Sequence, residues 1–159
     1  MIDLLRVDNR LIHGQVVESW LPELGVRRVL VADDEAAQSP LVRAAMGLAV
    51  PGNVEVVIQP LQGMDFAALA QDPIKSLLLV REVGGAVAAV ERGLGAVRVQ
   101  LGNVHYASGR RQLTSSVFLS PSELAQLKML EQQGCTIEAR AVPGDKALTL
   151  SVIEERLKD

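Results

Sequence analysis

The sequence predicts an α/β fold, an open and predominantly parallel twisted sheet with helices on both faces. Three observations carry this expectation. Short runs rich in Val, Leu and Ile recur with little polar alternation, the pattern of strands buried on both faces. Segments of helical spacing lie between them. Consecutive strand–helix units of this kind cross over right-handedly and cover one sheet on both sides. The 159 residues fit one domain, 1–159, with a substantial core, and no boundary, internal repeat or low-complexity tract divides them.

The elements follow in order. IDLLRVD (2–8), RRVLVAD (27–33), VEVVIQ (54–59), SLLLVRE (76–82) and AVRVQLG (96–102) read as strands. Helices are expected near 14–24, 39–49, 63–71 and 84–93. Ser39 caps the second of these and Pro40 opens it, where a missing N–H costs nothing. Pro51 and Gly52 stop it. RQLTSSVFLS (111–120) alternates better and predicts a strand nearer an edge. SPSELAQLKMLEQQG (120–134) carries the clearest helix signal: Ser120 as cap, Pro121 in the first turn, Glu123 completing a capping box and Gly134 at the end. CTIEARAV (135–142) reads as a further strand and TLSVIEERLK (149–158) as a short closing helix.

Composition narrows the function. Apolar residues make up 48% and charged residues 22%, as in a soluble globular protein. One Trp, one Tyr and two Phe leave the core to Val, Leu, Ile and Ala. A net charge of −3 and so few aromatics argue against a nucleic-acid binder. Asp3 and Arg6 interrupt the N-terminal apolar stretch, so no signal peptide is expected. No apolar run approaches the length of a membrane span. The single Cys135 cannot form an internal disulfide and is expected as a small packed side chain. These features predict a cytoplasmic protein that reaches a membrane only through partners. Neither GxxxxGK[ST] nor GxGxxG occurs, and no His/Cys/carboxylate set has metal-ligand spacing, so neither a nucleotide cofactor nor a metal is expected.

In folds of this class the site lies at the carboxyl ends of the strands. The first loop there is DNRLIH (8–13), between strand one and helix one. His13 should stand at the N-terminus of that helix, where unpaired N–H groups and the positive end of the dipole favour an anion. Gly14 allows close backbone approach, and the backbone N–H groups of Gly14 and Gln15 are the expected phosphate donors. Arg10 offers a permanent charge and a planar donor fork. A neutral imidazole can attack phosphorus near pH 7. Asp8 could orient either the imidazole or Arg10, and Asn9 reads as a turn former. On spacing alone, a capping or solvated His13 with Arg10 paired to Asp8 fits equally well.

RVDNRLIHGQVVESW (6–20) closely resembles the active-site motif of the IIB component of the mannose/fructose/sorbose class of the bacterial sugar phosphotransferase system (PTS). VLVADDEAAQSP (29–40), VRVQLGNVHYASGRRQLTSSVFLS (97–120) and ARAVPGDKALTL (139–150) are similar to later stretches of the same family. The resemblance implies an open sheet of about seven strands; with no IIA domain in the sequence, a stand-alone IIB subunit is expected. It implies that His13 receives a phosphoryl group, on Nδ1, from a phosphorylated IIA protein or domain. The group then passes to a sugar entering through the membrane subunits IIC and IID. It carries the family's phosphate-binding arginine onto Arg10. The alternative is a regulatory phospho-acceptor of an incomplete system, without sugar transport; an unrelated doubly wound enzyme lacks its expected motifs here.

Other residues fall at the same edge. Asp33 and Asp34 follow strand two and either cap a helix or line the rim. Arg81 ends strand four, within reach of a phosphoryl group or of an ordinary ion pair. Asn103 and His105 follow strand five. Arg110 and Arg111 lie in the next turn and are expected as solvated cations, or as a docking point for an acidic partner. Trp20, on helix one, is expected in the core.

Overall fold

The computed structural model describes residues 1–158. The chain opens with β1 (Ile2–Asp8) and runs through α1, a π-helical turn at Val16–Trp20 that continues as α-helix over Leu21–Leu24. β2 (Arg28–Ala32), α2 (Asp34–Gln38), α3 (Pro40–Ala49) and β3 (Glu55–Gln59) follow. Next come α4 (Phe66–Gln71), β4 (Ser76–Val80), α5 (Val83–Ala89, extended by a wider turn over Val90–Leu94) and β5 (Arg98–Asn103). The chain closes with β6 (Arg111–Gln112), β7 (Phe118–Leu119), α6 (Pro121–Gln132), β8 (Thr136–Ala139), β9 (Leu148–Thr149) and α7 (Leu150–Arg156).

Seven strands form one sheet in the order β3-β2-β4-β1-β5-β8-β9. All neighbours are parallel except β8 and β9. Alternation along each strand splits the core in two. Leu4, Val29, Val31, Leu77 and Leu79 pack with Val16, Trp20, Leu21 and Ala36, so α1 to α3 cover one face. Leu5, Val7, Leu30, Leu78, Val99 and Leu101 pack with Phe66, Val83, Leu127 and Ile153, so α4 to α7 cover the other. The chain leaves β1 toward β2 and leaves β5 toward β8. These opposite departures open a crevice between the carboxyl ends of β1 and β5, the usual ligand position in such sheets.

Several local expectations change. The segment 111–120 is not a strand of the main sheet. It folds as a small antiparallel hairpin, β6 with β7, outside it. The seventh strand is instead the two-residue β9, just ahead of α7. The run 54–59 is not buried on both faces: β3 is the sheet edge, and Glu55 and Gln59 are exposed. α2 was not anticipated; the Asp33 side chain caps it through the Ala36 N–H. The capping box of α6 forms as its sequence demands, with Ser120 and Glu123 each accepting the other's backbone N–H. α3 buries none of its side chains fully, and Leu41 and Leu48 stand in solvent.

Candidate active site

Position two apart on a strand decides the first pair. Arg6 and Asp8 lie on the face of β1 that carries Leu4, toward α1, and both are fully buried. Two buried charges persist only when paired and saturated with hydrogen bonds, and here they are. Arg6 Nε donates to Asp8 Oδ2 at 3.1 Å. Its Nη1 donates to Gln100 Oε1 at 2.6 Å and to the Arg140 carbonyl at 3.1 Å, and its Nη2 to the Ala141 carbonyl at 3.0 Å. Its guanidinium also lies over the Trp20 ring, 5.4 Å from the centroid. Gln100 passes the chain on to Glu138 at 2.9 Å.

Room for that guanidinium comes from β5. The register of β1 against β5 slips between Val7 and Asp8, so Gly102 is an extra residue in the ladder and Asp8 faces Asn103. A Cβ at position 102 would overlap the Arg6 guanidinium carbon and Nη2. Only glycine is compatible with Arg6 at this bulge.

Asp8 collects the site. Its Oδ2 accepts from Arg6, from His13 Nε2 at 2.8 Å and from Asn103 Nδ2 at 3.0 Å, and its Oδ1 accepts from the Arg10 backbone N–H at 3.0 Å. Burial pushes the carboxyl toward its neutral form. The His13 hydrogen bond, the Arg6 charge and the Asn103 hydrogen bond outweigh it, and the net pKa lies below the ordinary 3.8. Asp8 is therefore ionised and can only accept, so the His13 nitrogen facing it carries the proton. The other ring nitrogen, His13 Nδ1, is buried and has no hydrogen-bond partner among the described residues.

The loop between is a turn closed by Leu11 N–H to the Asp8 carbonyl at 3.0 Å and tied to β5 by Asn9 N–H to the Asn103 carbonyl at 2.8 Å. Leu11, not Asn9, takes the left-handed backbone, at φ 57° with its side chain buried. That conformation is uncommon for a residue other than glycine and marks stored strain in this loop. α1 begins directly after: the Val17 N–H to His13 carbonyl bond, 3.0 Å, is the first of the helix, which leaves the N–H groups of Gly14, Gln15 and Val16 without helical acceptors. Apart from its chain neighbours and its own helix backbone, no atom of the described residues lies within 4 Å of the place a Gly14 Cβ would occupy. The Gln15 side chain, expected to contribute only its backbone, accepts from Asn103 Nδ2 at 3.0 Å.

The remaining candidates divide. Arg10 is exposed, and its guanidinium has no hydrogen bond among the described residues. Arg81 pairs with Asp33 at 2.7 Å and donates to the Asn9 carbonyl at 3.2 Å, so it braces the loop from the β4 side. Burial opposes the ionisation of Asp33, but Arg81 and the Ala36 N–H outweigh it and hold its pKa below 3.8. Asp34 accepts from the Leu61 N–H at 2.8 Å. Arg110 is not a solvated cation: both its Nε and Nη2 bond Glu123 at 2.9 Å and its Nη1 holds the His105 carbonyl. Trp20 is buried, with Nε1 donating to the Ala141 carbonyl at 2.8 Å. The residues missed at the sequence level are Arg6, Gln100 and Gly102. Their signal was legible: an arginine and a glutamine in the middle of strands otherwise built for a dry interior.

The family model described as PTS system sorbose subfamily IIB component matches residues 2–158. The chain is 33% identical over 150 residues, 94% of its length and 96% of the relative's, to the N-acetylgalactosamine-specific phosphotransferase enzyme IIB component 2 of Escherichia coli K12. It is 27% identical over 146 residues to the fructose-specific EIIB component of Bacillus subtilis 168, covering 91% of this chain and 90% of that one. The crystal structure of the IIB domain of the sorbose permease from Klebsiella pneumoniae superposes with a TM-score of 0.86 at 25% identity, over 98% of this chain and 97% of that one.

Proposed function

This chain belongs to the sorbose subfamily of PTS IIB components, and we propose that within that family it is a phosphocarrier whose acceptor is His13. The observation that carries the reading is the Asp8–His13 contact. An ionised, buried carboxylate on Nε2–H fixes one tautomer and leaves Nδ1 as the nucleophile. Phosphoryl transfer asks the protein for positioning and charge stabilisation more than for covalent help. In this reading the unbonded N–H groups at the start of α1, the open space at Gly14 and the exposed Arg10 guanidinium would supply both.

The donor in this reading is a phosphohistidine on a IIA partner, and the acceptor is a sugar presented by membrane IIC and IID subunits. No helix of the described residues is long and apolar enough to cross a membrane. Nδ1 is covered in the present arrangement. Attack needs the imidazole or the strained Leu11 turn to shift, and docking of the donor is the natural occasion for it. The relatives are named for different sugars, N-acetylgalactosamine, fructose and sorbose, in keeping with specificity that lies in the membrane partners.

Incubation with a phosphorylated IIA protein tests the reading. Wild type is expected to take up an acid-labile phosphoryl group and His13→Ala to take up none. Equal labelling of the two would remove His13 from the mechanism. Sugar phosphorylation with reconstituted membrane subunits separates transport from a purely regulatory phospho-acceptor.

A further inference from the structure

A cleft of ≈ 330 Å³ opens at the carboxyl end of β8, to the side of β1 and β5 that is away from β4. Ser115 and Ser116 of the β6–β7 hairpin, Arg140 after β8, Lys146 in the turn before β9 and Arg156 in the last turn of α7 form its polar wall. Three cations thus face one carboxylate, Asp145, in a chain whose net charge is −3. Lys146 and Arg156 are exposed and form no ion pair with any described residue. Elsewhere several basic side chains are paired with carboxylates: Arg81 with Asp33, Arg110 with Glu123, Lys128 with Glu154.

We propose that this cleft binds a small phosphate monoester that also carries hydroxyl groups, a sugar phosphate by chemical class. The unmatched cations suit a dianion. The serine hydroxyls suit a polyol, and the floor of Val117, Ala139 and Leu148 suits the C–H face of a sugar ring. No aromatic side chain lines the cleft, which disfavours a nucleobase. Its volume is at the small end of ligand pockets, roughly 300–1,000 Å³.

The cleft also shares a wall with the His13 network. Arg140 donates from Nε to the Asp145 carbonyl at 3.0 Å and from Nη2 to the Pro143 carbonyl, and its guanidinium lies 5.6 Å from the Trp20 ring centroid. Trp20 and Arg6 both hold the Ala141 carbonyl. An anion that draws Arg140 toward itself competes with those carbonyls and disturbs the turn that Arg6 grips. Trp20, the single tryptophan, is thereby a built-in reporter.

The test is titration with glucose 6-phosphate, inorganic phosphate and glucose, followed by Trp20 fluorescence and amide NMR shifts. Wild type, His13→Ala and Lys146→Ala/Arg156→Ala are compared. Glucose 6-phosphate should give a saturable response in wild type and His13→Ala, centred on residues 114–117 and 140–148. The double variant should bind at least tenfold more weakly while keeping its amide spectrum. Glucose should give no response, and inorganic phosphate should bind more weakly than the sugar phosphate. No saturable response at millimolar concentration, equal binding by the double variant, shifts confined to residues 8–16, or equal binding of inorganic phosphate would each overturn the assignment. None of these readouts depends on transfer to His13, so failure here and failure of the phosphocarrier reading are separable.

Discussion

Asp8 is the residue on which the site turns. Its four hydrogen bonds use both carboxylate oxygens, and each partner comes from a different place: a strand neighbour, a turn amide, the imidazole just ahead of α1 and the end of β5. His13 and Arg10 stood out in the sequence as residue types in a loop at the strand ends. The role of Asp8 was legible only as an alternative, because sequence does not say which way a side chain at a strand end turns. The β1 alternation answers it, since Asp8 shares a face with Arg6 and with the helix that carries His13. Arg10 is the freest member, exposed and without a bond from its guanidinium among the described residues. Arg10→Ala is expected to leave unfolding free energy within about 0.5 kcal/mol of wild type, as for a surface substitution. Loss of a charge that stabilises the transferring group should slow phosphoryl transfer by roughly tenfold to a thousandfold. Rapid-quench transfer assays beside denaturant unfolding check both halves. Wild-type rates in the variant would take Arg10 out of the account.

At the scale of elements, the bulge in β5 matters most. An extra residue at Gly102 lets Asn103 face Asp8 while Leu101 still faces Val7, so one irregularity both seats Arg6 and aims Asn103. Gly102→Ala forces the buried guanidinium aside. Overpacking costs about 1–3 kcal/mol, and breaking a buried ion pair costs about 3–5 kcal/mol. The expected loss is therefore at least about 3 kcal/mol by denaturant unfolding, with transfer impaired in whatever remains folded. A loss under about 1 kcal/mol would show that Arg6 has another place to go. Strands with long apolar runs and helices with clear caps were readable, as β1, β2, β4, α3 and α6 show. The hairpin β6–β7, the two-residue β9 and α2 were not. Each is too short for its periodicity to register, and each is fixed by contacts to distant parts of the chain, such as the Arg81 bond that holds the α2 cap.

The whole molecule places an unusual polar row inside a sheet. Arg6, Gln100 and Glu138 face one another across β1, β5 and β8 in register, beneath the site. Its stability should depend on pH through the carboxylates held low. Asp8, Asp33 and Glu123 all have folded pKa values below their ordinary 3.8, 3.8 and 4.5. A depressed carboxylate contributes fully above its unfolded pKa and loses that contribution as pH falls through the folded value. Unfolding free energy should thus be level from neutral pH down to about 5, then fall steadily below about 4. Denaturant midpoints across that range check it, and a decline that begins near pH 6 would point to a different group. In the proposed phosphocarrier the Asp8 carboxylate holds Nε2–H, and Nδ1 is the nitrogen that would take the phosphoryl group. ¹⁵N and ³¹P NMR of the chain after incubation with a phosphorylated IIA protein reads this directly. A single phosphohistidine is expected, at His13, substituted on Nδ1 with Nε2 still protonated. Substitution on Nε2, or a phosphoryl group on any other residue, would contradict it.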